Sequence, residues 1–146
     1  MQEEVSYQSE VKIRVRFSET DPLGVVWHGN YVQYLEDARE EFGRQWGLSY
    51  RFIAESGYYA PVYDMHLRFE KSARPDQVLR VSCRYRPALG AKLCFDYEIR
   101  DAEDGSLVAE ASTIQLFTTK EGSFEPSAPA FYVKWKQDLE NSESYG

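Results

Sequence analysis

Residues 17–40 read FSETDPLGVVWHGNYVQYLEDARE, and the hydrophobic period changes within them. Just upstream, residues 11–17 (VKIRVRF) alternate apolar and basic side chains with a period of two, the pattern of a strand with one buried face. From Tyr31 the apolar residues fall three and four apart, at Tyr31, Tyr34, Leu35, Ala38, Phe42 and Trp46. They mark one face of a long helix that ends near Gly47. At about 100° per residue, Glu36 and Glu40 lie well away from that face, while Asp37 and Glu41 flank it. Glu36 and Arg39, at i and i+3, read as an ordinary surface ion pair.

Downstream of a short helical patch at 51–56, residues 61–69 (PVYDMHLRF) alternate again. Tyr63, Met65, Leu67 and Phe69 fall on one side, and Asp64, His66 and Arg68 on the other, with His66 read as exposed. Residues 78–86 and 92–100 form a second alternating pair around the turn PALG, and Asp104-Gly105 is a hairpin signal leading into a further strand at 107–117. A short helix is predicted through YVKWKQDLE (132–140), with residues 141–146 loose. One strand, a long helix and four strands joined by short turns make an α+β domain, an antiparallel sheet with a helix laid on it. A single helix cannot cover five or six strands, so apolar surface or sheet edge is left for a second copy. A homodimer or a homotetramer built as a dimer of dimers is expected.

The chain of 146 residues is the length of one domain, and no apolar run reaches the length of a membrane span. A net charge of -7 disfavours nucleic acid as a partner, and any anionic ligand must be met by local cations. The first ten residues, MQEEVSYQSE, are acidic and polar and lack the features of a secretory signal, so a cytoplasmic location is expected. Cys83 and Cys94 are too few for a disulfide framework and have no CxxC or Cys/His spacing for zinc, so no metal is expected; no cofactor is expected either.

The start of the long helix carries the chemistry. A helix N-terminus presents unpaired N–H groups and the positive end of the helix dipole, which suits an oxygen that becomes anionic. His28, Gly29 and Asn30 stand where those amides are exposed, and Gly29 has no side chain to obstruct a ligand. Asp21, before Pro22 and Gly24, lies on a turn that brings a carboxylate back toward the same point. Together these suit acyl transfer. On spacing alone the plainer reading leads: Asp21 opens a turn, Asn30 caps the helix, and His28 is a packed or capping side chain.

The run ETDPLGVVWHGNYVQYLEDARE resembles the signature of the 4-hydroxybenzoyl-CoA thioesterase family of hot-dog-fold proteins, and the succession of strands that follows extends the resemblance over about residues 9–120. Residues 127–146 are then a C-terminal extension of a single domain at 1–146. The resemblance implies an antiparallel sheet wrapped around one long central helix, and hydrolysis of an acyl-CoA thioester to free acid and CoA. It makes Asp21 the catalytic carboxylate, as general base on water or as nucleophile through a mixed anhydride. The backbone N–H groups at His28 and Gly29 would polarise the thioester carbonyl, and one such donor is typically worth about 3 kcal/mol in the transition state. His28 replaces the founding member's tyrosine. Glu36 stands where that member has an aspartate contacting the aryl hydroxyl, a role not carried over to this chain. A second branch of the superfamily puts its carboxylate on the helix; Glu41 is the nearest candidate, and the aspartate of the TDPLG loop argues against it.

In the family the acyl group lies between the helix of one subunit and a strand of its partner, which makes Tyr59, Pro61 and Val62 pocket walls, with ordinary strand packing as the alternative. The turn between residues 86 and 92 corresponds to a loop rich in Arg and Lys; here only Arg86 and Lys92 flank it as contacts for the CoA phosphates, with Arg68, Lys71 or Arg74 as another placement. Such sparse cations leave room for an acyl-ACP or polyketide thioesterase of the same chemistry. A non-catalytic acyl-CoA-binding protein is the alternative of a different class.

Overall fold

The computed structural model describes residues 7–144. In chain order the elements are β1 (Gln8–Arg14), α1 (Asn30–Trp46), α2 (Tyr50–Glu55), β2 (Tyr58–Tyr59), β3 (Val62–Phe69), β4 (Val78–Arg86), β5 (Lys92–Asp101), β6 (Leu107–Leu116), β7 (Thr118–Thr119) and α3 (Ala130–Ser144). Five strands form one sheet in the order β1-β4-β5-β6-β3, every neighbouring pair antiparallel, and β2 pairs with β7 in a small second sheet.

Helix α1 lies on the sheet through Tyr31, Tyr34, Leu35, Ala38 and Phe42, all buried, as the 3.6-residue period requires. Phe42 meets the rings of Phe95 at 5.1 Å and Tyr85 at 6.3 Å on the sheet side. Gly47, in the left-handed region at φ 73°, ends the helix, and its N–H and that of Leu48 both return to the Gly43 carbonyl. Gly43 is the point where the following chain crosses closest: a Cβ there would stand 2.7 Å from Ser49 Cα.

The burial stripe on α1 is wider than the apolar residues alone predict. Arg39, expected on the surface, is fully buried, because α2 folds back and lays Tyr50 over its guanidinium. Strand β1 ends three residues earlier than its alternation suggests. The Arg16 N–H donates to Glu19 Oε1 and Glu19 N–H to the Arg16 carbonyl, a reciprocal turn that swings Phe17 out to 83% exposure. Met65 and Leu67 of β3 pack against the core, whereas Tyr63 is 67% exposed: β3 is an edge strand, with a register shift between Val62 and Asp64. His66 is exposed, as its place in the alternation predicts.

The C-terminal helix exceeds its expected span. It buries Tyr132, Trp135 and Leu139 against the core, joins the Tyr132 and Tyr85 hydroxyls at 2.6 Å, and donates from Trp135 Nε1 to the Trp46 carbonyl. Residues 141–144, expected to be loose, continue it; Tyr145 and Gly146, like residues 1–6 of the acidic N-terminus, lie outside the described residues.

Candidate active site

The loop before α1 is closed by its own turn chemistry. The Gly24 N–H donates to the Asp21 carbonyl and the Asp21 N–H to Val25, with Gly24 at φ 79°, a conformation that favours glycine. Asp21 Oδ1 accepts the Leu23 N–H at 2.8 Å, while Oδ2 has no hydrogen-bond donor among the described residues. The plain reading of Asp21 as a turn residue therefore holds for one carboxylate oxygen and leaves the other unengaged. Two longer-range bonds fix where the loop sits: Val26 N–H to the Ala73 carbonyl at 2.9 Å, and Ala73 N–H to the buried Tyr31 hydroxyl at 3.1 Å.

No side chain caps α1. Asn30, a candidate cap, instead donates from Nδ2 to the Glu19 carbonyl at 2.7 Å. The Asn30 and Tyr31 amides turn back to the carbonyls of Trp27 and His28. Of the three amides expected to be exposed, that of Asn30 is therefore taken by Trp27, while those of His28 and Gly29 have no protein acceptor among the described residues. Gly29 leaves room for the half-exposed Trp27 ring: a Cβ there would come within 2.2 Å of it, and the indole would have to shift. His28 itself is exposed, with its imidazole 5.0 Å from the same indole.

Asp21 and His28 border one cleft of about 390 Å³, whose far side is Phe69, Glu70, Lys71 and Ser72 from the end of β3. Lys71, whose ammonium meets the Ser106 hydroxyl, is the only lysine or arginine among the described residues that borders this cleft. Burial pushes the Tyr31 phenol upward despite the bond from Ala73, so it stays neutral, its oxygen accepting the Ala73 N–H.

Tyr59, Pro61 and Val62 also come together, but in a different place. They line a groove of about 570 Å³ with Glu36, Tyr50 and Phe124. Within one chain it is separate from the cleft at Asp21. Arg86 and Lys92 join neither space: Arg86 lies 3.8 Å from Asp96, which also pairs with Arg84, and Lys92 is exposed at the start of β5. Glu41 is taken by Arg44 at 2.7 Å. Glu36 accepts the Tyr50 hydroxyl at 3.4 Å rather than pairing with Arg39. Phe69 follows from the alternation of β3, but its place beside Asp21, like that of Lys71, depends on where Ala73 bonds Val26, a contact across 47 residues with no local signal.

Burial pushes the Cys83 thiol up to about 12, so it is held as the neutral thiol at physiological pH and is no nucleophile. Among the described residues no group of three or more His, Cys, Asp or Glu is placed to hold a metal ion, and no helix is long and apolar enough to cross a membrane.

Residues 15–135 match the thioesterase-like superfamily. The acyl-CoA thioester hydrolase YbgC of Escherichia coli is 30% identical over 102 residues, covering 70% of this chain and 75% of that protein. A 1,4-dihydroxy-2-naphthoyl-CoA thioesterase from Synechocystis superposes with a TM-score of 0.79 at 26% identity, over 91% of this chain and 98% of the other. A 4-hydroxybenzoyl-CoA thioesterase shares the fold at a TM-score of 0.77 and 23% identity, over 88% of this chain and 98% of its own. The chain belongs to the thioesterase-like superfamily and is a thioester hydrolase of the hot-dog fold.

Proposed function

We propose that this protein hydrolyses acyl-CoA thioesters to free acid and CoA, with Asp21 as the reacting carboxylate. The observation that carries the reading is the unengaged Asp21 Oδ2 in the same cleft as His28, at a helix end with no side-chain cap and two unpaired amides. As general base, Asp21 takes a proton from water while the water oxygen bonds to the thioester carbon. As nucleophile, its own oxygen forms that bond and gives a mixed anhydride that water then opens. In either route the carbonyl oxygen becomes an oxyanion, accepts from the His28 and Gly29 N–H groups, and the C–S bond breaks to release the thiolate.

Tyr59, Pro61 and Val62 are the proposed acyl walls. Their separation from Asp21 within one chain supports a homodimer in which each cleft faces the partner's groove. The exposed edge of β3, with Tyr63 and Phe69 on it, is an apolar border suited to that contact. Lys71 is proposed to meet a CoA phosphate, whereas Arg86 and Lys92 stand at the opposite end of the sheet. The diversion of Arg86 toward Asp96 favours a carrier-protein thioester as the second reading. A cytoplasmic location accords with two free, buried cysteines.

The test is thiol release over a panel of aryl- and aliphatic-CoA esters, comparing the wild type with Asp21→Asn. Turnover that collapses in a folded Asp21→Asn chain supports the assignment. An Asn variant with wild-type rate removes Asp21 from the chemistry, and cleavage of carrier-protein esters alone moves the substrate to the second reading.

A further inference from the structure

Arg39 is fully enclosed, yet no carboxylate approaches it within 4.0 Å among the described residues. Its guanidinium is sandwiched between rings, 4.6 Å from the centre of Tyr50 and 4.8 Å from that of Phe95. Nε donates to Gln115 Oε1 at 3.1 Å, and Nη1 and Nη2 find no acceptor among the described residues. An isolated buried charge is expensive, and an apolar side chain of similar volume fills space more cheaply. Packing alone does not account for arginine at this position.

Direction does. Arginine Nε can only donate, so Gln115 must turn its carbonyl oxygen toward Arg39 and its NH2 group away. That NH2 group meets the Ala60 carbonyl, which can only accept. Arg39 thus orients a buried amide that in turn anchors Ala60, the residue before Pro61 and Val62. Its flat face supports Tyr50 on the other side. Tyr50 and Ala60 both line the groove of Tyr59, Pro61 and Val62.

We infer that Arg39 is a positioning residue that sets the width of this groove, and with it which acyl groups enter. This rests on the reading that the groove receives the acyl chain. Arg39 touches no substrate; it acts through Tyr50 and through the orientation of Gln115.

Gln115→Glu separates this role from plain stability. It keeps the shape and the acceptor for Arg39, but places a second acceptor against the Ala60 carbonyl. The measurement is the dissociation constant of a series of non-hydrolysable acyl-CoA thioethers of increasing chain length, by calorimetry, with thiol release from the matching esters run in parallel. Gln115→Glu should change the affinity ratio between the longest and shortest analogues roughly tenfold, the scale on which pocket shape discriminates neighbouring acyl groups. Arg39→Met should change it in the same direction, and Arg39→Lys, which keeps the charge but not the planar fork, should not restore it. A Gln115→Glu chain that weakens all analogues by one factor, or keeps the wild-type ratio, overturns the inference, as does a wild type that binds none of them. Binding without thiol release overturns only the hydrolytic reading.

Discussion

Replacing His28 by alanine separates the backbone from the side chain at the start of α1. The imidazole is exposed, makes no hydrogen bond among the described residues, and lies 5.0 Å from the Trp27 ring at a tilt of 47°. Its removal should therefore change stability by no more than about 0.5 kcal/mol. The amide remains, because every residue except proline carries one, and its lack of an internal acceptor is unaltered. If the carbonyl is polarised by the amide, kcat/KM should fall by less than about fivefold, or about 1 kcal/mol. If the imidazole transfers a proton, the loss should lie between about 100-fold and 10,000-fold. The two outcomes do not overlap. The assay is thiol release from the best ester of the panel, with urea unfolding on the same preparations and Asp21→Asn as the reference for lost chemistry. A loss above about 100-fold in kcat, with unchanged unfolding, would refute the backbone assignment and make His28 a catalytic residue.

Gly43→Ala sets helix preference against packing. The gain from alanine in a helix interior is about 1 kcal/mol, but the new methyl would meet the Ser49 and Leu48 backbone at 2.7 and 3.0 Å. Overpacking of about 1–3 kcal/mol should win, so the urea midpoint falls; a rise would show that the α1–α2 connection gives way freely. For Cys83, burial raises the thiol to about 12, so the neutral form persists below that pH as long as the chain is folded. In a Cys94→Ser background, the native protein should not react with a disulfide reagent at pH 8, and urea should release one reactive thiol; fast reaction of the native form would contradict the burial. If the proposed homodimer forms across the exposed edge of β3, Tyr63→Asp should lower the molar mass measured by light scattering from that of two chains to that of one and reduce turnover together with it; a variant that keeps the mass of two chains would remove this edge from the contact, and a wild type with the mass of one chain would remove the dimer.

Much of the fold was legible because its signals are local. The apolar stripe from Tyr31 to Phe42 and the glycine after Trp46 define α1, and the alternations at 78–86 and 92–100 define β4 and β5, two of the three interior strands, within a residue. The turn at Asp21 to Gly24 was equally plain, since Asp, Pro and Gly each restrict the chain over two or three residues. Phe17 misled the period because a reciprocal bond between Arg16 and Glu19 ends the strand sooner than hydrophobicity does.

By itself, then, the sequence determined the order of elements, the buried face of the long helix, and the amide-rich helix start beside a turn carboxylate, all properties of neighbours within about one helical turn. Only the tertiary structure decided that Asp21 and His28 face Phe69 and Lys71, and that Tyr59 to Val62 form a groove of their own. It also decided that Arg39 is interior, since that burial needs Tyr50 from α2 and Gln115, 76 residues further on, to close around it. Such contacts arise from sheet register and chain closure, and no stretch short enough to carry a pattern contains both partners.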